Sequence, residues 1–134
     1  AHRRLDGYLR AAAEAGVNLS NQQIWHIPVS SQYFAEAAAL SALQQQPRPD
    51  VLLCMSDLIA LSAIRVALAQ GLRIPQDVKI VGFDGIEEGV RYNPSLTSVW
   101  QFSDAKGRAA VQAFLADSDQ KQWLPYEIRQ GESC

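Results

Sequence analysis

At 134 residues the chain is one domain by size and long enough to bury a real core. Its 48% hydrophobic and 19% charged residues are ordinary for a globular protein, and a formal net charge of −2 excludes a surface that grips DNA through phosphate contacts. No apolar run approaches the roughly 20 residues of a membrane span, and Arg65 interrupts the best candidate.

The first predicted element is a helix from residue 2 to about Ala15. Leu5, Tyr8, Leu9, Ala12 and Ala13 recur at helical spacing, and Gly16 stops it. Its start, Ala1-His2-Arg3-Arg4, is amphipathic rather than a signal-peptide core. Residues 18–23 form a polar loop. Asn18-Leu19-Ser20 there fits a glycosylation sequon, which a cytoplasmic chain would not use. Residues 24–29 read as a strand, with Pro28 placing an edge or an end there. Ser30-Ser31-Gln32 is a loop and cap. Residues 33–46 are helical, alanine-rich, and stopped before Pro47. Pro47-Arg48-Pro49 is a rigid turn.

The next stretch carries the most information. Val51-Leu52-Leu53-Cys54-Met55 is five apolar residues after a turn, the pattern of a strand buried on both faces. Ser56-Asp57 opens a helix over residues 57–70, which Gly71 ends. After a loop, residues 78–83 form a second apolar strand that stops at Asp84-Gly85. A strand–helix–strand unit crosses over right-handed and gives parallel strands, so Asp57 and Asp84 both fall at strand carboxyl ends. Open α/β sheets bind ligands along that edge. One or two helical turns follow over 86–92, then a turn at Asn93-Pro94, a strand over 96–101, and a helix over 103–116 capped by Ser103-Asp104. After a polar loop over 117–121, a last strand spans 124–129. The alternation predicts an α/β, three-layer sandwich with a mainly parallel sheet.

Catalytic and metal patterns are weak. His2 and His26 have no cysteines or acids at ligand spacing, and neither a Gly-x-Ser-x-Gly elbow nor a Gly-Lys-Ser/Thr phosphate loop occurs. A magnesium site at Asp57 and Asp84 would need a further acid pair near an N-terminal strand, and none is there. Neither an enzyme nor a cofactor is expected. Cys54 and Cys134 make no disulfide framework and read as free thiols of a cytoplasmic protein.

Three runs of residues carry a family resemblance. They are Ser56-Asp57-x-x-Ala60; Gly71-x-x-Ile74-Pro75-x-Asp77-Val78-x-Ile80-Val81-Gly82-Phe83-Asp84; and Pro94-Ser95-Leu96-Thr97-Ser98-Val99-x-Gln101, with Arg4-Leu5-x-Gly7-Tyr8 upstream. In order and spacing they resemble the effector-binding half of the lactose-repressor/galactose-repressor family of bacterial transcription regulators. The resemblance implies a periplasmic-binding-protein-like fold, C-terminal subdomain only. Residues 1–134 are then one effector-binding fragment. The family's N-terminal helix-turn-helix domain, its first subdomain and the strand before the first helix are absent from this sequence. It further implies a sugar, sugar phosphate or nucleoside effector, operator DNA contacted only through the absent domain, and no membrane partner. The other readings are a periplasmic-type sugar-binding protein, which shares the fold, and a ligand-free oligomerisation module.

Six residues are candidate ligand contacts. Asp84 can accept hydroxyl hydrogen bonds from a sugar, or only cap a turn. Asp57 can do the same, or cap its own helix. Arg4 matches the family's effector-anchoring arginine, against the alternative of a solvated basic pair with Arg3. Tyr33 aligns with an aromatic that stacks on the effector in relatives, and otherwise packs. Ser56 offers a hydroxyl where the family usually has an asparagine amide, which implies a different effector. Gln101 matches a glutamine of the hinge strand, touching ligand or bonding backbone. A homodimer is also expected. The helix over 57–70 is apolar around most of its circumference, and relatives pair through the equivalents of Leu61 and Tyr92, with Arg65 nearby.

Overall fold

The computed structural model describes residues 2–17, 19, 23–28 and 31–134. The elements run α1 (His2–Glu14), α2 (Gln32–Leu43), β1 (Val51–Leu53), α3 (Asp57–Ala69), β2 (Lys79–Asp84), α4 (Glu87–Val90), β3 (Thr97–Trp100), α5 (Ser103–Leu115) and β4 (Glu127–Arg129). The four strands form one sheet in the order β1-β2-β3-β4. β1, β2 and β3 are parallel, with Leu52 opposite Ile80 and Asp84 opposite Trp100, and β4 closes the sheet antiparallel to β3. This is the mainly parallel α/β arrangement the alternation predicts.

The core lies between the sheet and the α2–α3 pair. Ile64 and Ile80 are fully buried there with Ala60, Ala67 and Val78. Each branched side chain contributes about 1.5–3 kcal/mol by leaving water. Alanines let the helices approach closely: Ala39 and Ala42 of α2 sit in the same cluster as Leu61, Ala63 and Ile64 of α3. α2 covers much of the apolar surface of α3, leaving Leu61 6% exposed within its own chain, while Leu58 and Leu68 of the same helix stay exposed at 68% and 45%. Arg65 is likewise engaged at home. It donates to Glu36 through Nε at 3.1 Å and through its terminal nitrogen at 3.0 Å, and from that nitrogen also to the Ser62 hydroxyl at 3.0 Å.

Other boundaries shift for local reasons. α2 ends at Leu43 rather than 46, with the N–H groups of Gln44 and Gln45 closing its last turn. The strand expected to be buried on both faces is three residues long. Leu52 points into the core, while Val51 and Leu53 stay exposed on the other side. Residues 24–27 run without regular structure, because no strand pairs with them. An apolar cavity of about 370 Å³ separates them from β1, walled also by Leu5 and Tyr8 of α1 and by α2. Ser31 caps α2 through Phe34 N–H as expected. The sequon residues Asn18 and Ser20, and Val29 and Ser30 of the predicted strand end and cap, lie outside the described residues.

The C-terminal tail locks the opposite end of the sheet. Ser133 is fully buried; its hydroxyl donates to Ile80 O at 2.6 Å and accepts from Thr97 N–H at 2.9 Å, while its carbonyl accepts from Ile80 N–H.

Cys54, directly after β1, gives the fold a pH signature. Burial, assisted by the nearby Asp57 charge, pushes its thiol from 9.0 up to about 12. Below pH 9 both folded and unfolded chains hold the proton and stability is unaffected. Between 9 and 12 only the unfolded chain releases it, so stability falls as pH rises. The expected result is an extra loss approaching about 1.4 kcal/mol per pH unit, relative to Cys54→Ala, in denaturant melts above pH 9.

Candidate functional site

The carboxyl ends of β1, β2 and β3 meet at one edge, and the first turn of α1 leans over it. Arg4 lies across the Phe83 ring, its guanidinium carbon 3.9 Å from the ring centroid. From there it donates to the Met55 carbonyl, and at 3.3 Å to Asp84 Oδ1. Gln101, just past β3, donates from Nε2 to the same Oδ1 at 2.8 Å. Among the described residues Arg4, Asp84 and Gln101 therefore form one hydrogen-bonded row, with the Arg4 and Asp84 side chains about one-third exposed (32% and 34%).

The backbone under this row is unusual. Asp84 has φ 131°, a region costly for any side chain, and such strain concentrates where a fold must aim a group. Gly85 follows at φ 77°; a Cβ on it would stand 2.4 Å from the Trp100 ring, so only glycine fits between Asp84 and α4.

Asp57 is different, and its expected role is corrected. It is 1% exposed. Its Oδ2 accepts from Gly85 N–H at 2.7 Å and from Ile86 N–H at 2.8 Å, and its Oδ1 from the Ser98 hydroxyl at 2.5 Å. A carboxylate so enclosed meets no ligand. It ties the start of α3 to the turn after β2 and to β3, and so holds Asp84 in place from below. Gly82 makes room for it, since a Cβ there would lie 2.2 Å from Asp57 Oδ1. Ser56 is also occupied, its hydroxyl capping α3 by accepting from Ile59 N–H at 3.4 Å.

Tyr33 sits in the first turn of α2 and is 74% exposed. α2 leads into β1, so that turn lies toward the same end of the sheet. Its described ring partner is Phe34, edge-on with centroids 5.4 Å apart. No described contact joins it to Arg4, Asp84 or Gln101. Three participants went unnoticed in the sequence: Phe83 under Arg4, Ser98 beside Asp57, and Lys106 of α5, whose ammonium contacts Gln101 Oε1. Alternation along β2 placed Phe83 on the face opposite Ile80 and could have found the first. Nothing in the sequence marks Lys106.

As chemistry, the row offers two cationic or amide donors beside a carboxylate whose second oxygen has no partner among the described residues. That set suits hydroxyl groups, which both donate and accept.

Comparison with known proteins shows what the chain as a whole is similar to. The model of the periplasmic binding protein-like domain matches residues 1–134. The ribose operon repressor of Haemophilus influenzae is 38% identical over 118 residues, 86% of this chain and 34% of that protein. The HTH-type transcriptional regulator MalR of Clostridium butyricum is 32% identical over 139 residues, 98% of this chain and 40% of that protein. Among solved structures, a protein from Actinobacillus succinogenes superposes with a TM-score of 0.91 at 33% identity, over 98% of this chain and 49% of that one. The transcriptional regulator CelR in complex with cellobiose gives 0.84 at 28% identity, over 98% and 42%. The chain thus spans between a third and a half of the proteins it matches.

Proposed function

Since the chain belongs to the periplasmic-binding-protein-like domain family of lactose-repressor-type transcription regulators, we propose that it is the effector-binding part of such a regulator and that its effector is a sugar-like polyol held at Arg4, Asp84 and Gln101. The observation that carries the reading is the Asp84 carboxylate. It is held at a strained φ of 131° with Oδ1 shared by Arg4 and Gln101, while Oδ2 has no described partner. A hydroxyl donating to Oδ2 and accepting from the neighbouring N–H groups completes that arrangement at about 1.5–3 kcal/mol for each charged bond. The names of relatives agree in chemistry: one is a ribose operon repressor and another a regulator bound to cellobiose.

In this reading ligand closes over the carboxyl edge and shifts the balance between two arrangements of the whole regulator. Operator DNA is read by a part outside these residues, in keeping with the chain's net charge of −2. No described helix is long and apolar enough to cross a membrane, and a cytoplasmic setting fits a regulator of DNA.

Titration calorimetry with ribose, glucose, cellobiose and adenosine tests it. The expected result is saturable heat with at least one sugar. Absence of heat with all four at millimolar concentration would remove the reading.

A further inference from the structure

We propose that Lys106 is a positioning residue for the polyol site: it fixes which way the Gln101 amide faces and thereby sets the hydrogen-bonding polarity the ligand meets. The inference rests on the reading of Asp84 and Gln101 as ligand contacts.

Gln101 is held from two directions. Trp100 and Phe102, on either side of it in sequence, stack on one another with ring centroids 4.0 Å apart. Arg129 lies over the Trp100 ring at 4.2 Å, and Phe102 takes the left-handed conformation at φ 50°. With its neighbours turned together to one side, the Gln101 side chain is left on the other, where it reaches Asp84.

A carboxamide can present its oxygen or its NH₂ in nearly the same shape, so its surroundings decide. Here Oε1 meets the Lys106 ammonium and Nε2 meets Asp84 Oδ1. An ammonium donates and cannot accept. A flipped amide would set NH₂ against the ammonium and oxygen against the carboxylate, two repulsive contacts in place of two attractive ones. Lys106 makes no ion pair among the described residues, so its charge is not committed elsewhere. The row Lys106–Gln101–Asp84–Arg4 is consequently polarised in one direction, and the second Nε2 hydrogen remains for a ligand acceptor beside Asp84 Oδ2, which has no partner among the described residues. When a ligand hydroxyl competes for Asp84, Lys106 still holds the amide.

The test compares Lys106→Arg, Lys106→Met and Lys106→Glu in the intact chain. Lys106 is solvent-exposed, so all three should melt within a degree or two of the parent. The direct readout is the Gln101 side-chain amide in nitrogen-edited NMR spectra without ligand. The expected result is slowed proton exchange and a cross-strand contact to Asp84 in the parent and in Lys106→Arg. Both should weaken in Lys106→Met and vanish in Lys106→Glu, whose carboxylate draws Nε2 away. Calorimetry with the sugar bound most tightly by the parent should give the same order, about tenfold weaker for Lys106→Met and rescued by Lys106→Arg. An unchanged Gln101 amide in Lys106→Glu overturns the proposal. So does an affinity for that sugar unchanged by loss of the positive charge. If the parent binds no sugar, the function reading falls while the amide spectra still decide the positioning role.

Discussion

Asp57→Ala is expected to unfold most of the protein at ambient temperature, or to lower its stability by about 3–6 kcal/mol. The figure follows from what the substitution strands. Gly85 N–H, Ile86 N–H and the Ser98 hydroxyl all donate to this buried carboxylate, and a buried donor left without its acceptor costs about 1–3 kcal/mol. A domain of this size has roughly 5–15 kcal/mol in total. Asp57→Asn keeps the shape but carries one acceptor oxygen instead of two, so it should lose less. Urea melts of the three proteins should order as parent, asparagine, alanine. An alanine variant within about 1 kcal/mol of the parent would show that Asp57 does not bind the edge together.

Asp84→Gly should do the reverse to stability while abolishing recognition. Glycine occupies a φ of 131° without the penalty that aspartate bears there, so release of strain should offset the lost bonds from Arg4 and Gln101 and leave the melting midpoint level or higher. Sugar affinity should fall by two orders of magnitude or more, roughly the worth of two charged hydrogen bonds. Asp84→Ala should bind as poorly but melt lower, because alanine retains a Cβ in the same strained backbone. If the glycine variant keeps its affinity for sugar, Asp84 is not the centre of the site.

The pair also explains how far the sequence could be read. The β1–α3–β2 unit was legible because its apolar runs are uninterrupted, and because Gly71 and Gly85 punctuate them. Asp84 was placed at the carboxyl edge by topology, which sends parallel strand ends to one side, whereas Arg4 on α1 and Gln101 were singled out by the family resemblance; the fold brings the three into one hydrogen-bonded row. What separates Asp57 from Asp84 was not legible. Both acids follow an apolar strand, and only the assembled turn at Gly85–Ile86, with Ser98 across the sheet, decides which one is buried. A helix apolar on most sides can serve a core and an interface together; the small residues of α2, Ala35, Ala39 and Ala42, let that helix pack onto α3, and Leu58 and Leu68 of α3 stay exposed. The expected strand over 24–29 failed because a strand exists only in a ladder, and beyond residues 24–27 lies a cavity rather than a partner. Lys106 was invisible because its role depends on where the left-handed turn at Phe102 starts α5.

The central claim, that a polyol binds at the carboxyl edge through Arg4, Asp84 and Gln101, is tested most directly by mapping the site. The isotopically labelled chain would be titrated with its best sugar while backbone amide shifts are followed. The account predicts saturable shifts concentrated at Arg4, Asp84, Gly85 and Gln101, smaller ones at Lys106, and none of comparable size along α2 and α3. Shifts gathered instead around the apolar cavity between α1 and β1, or an unchanged spectrum at millimolar sugar, would contradict it.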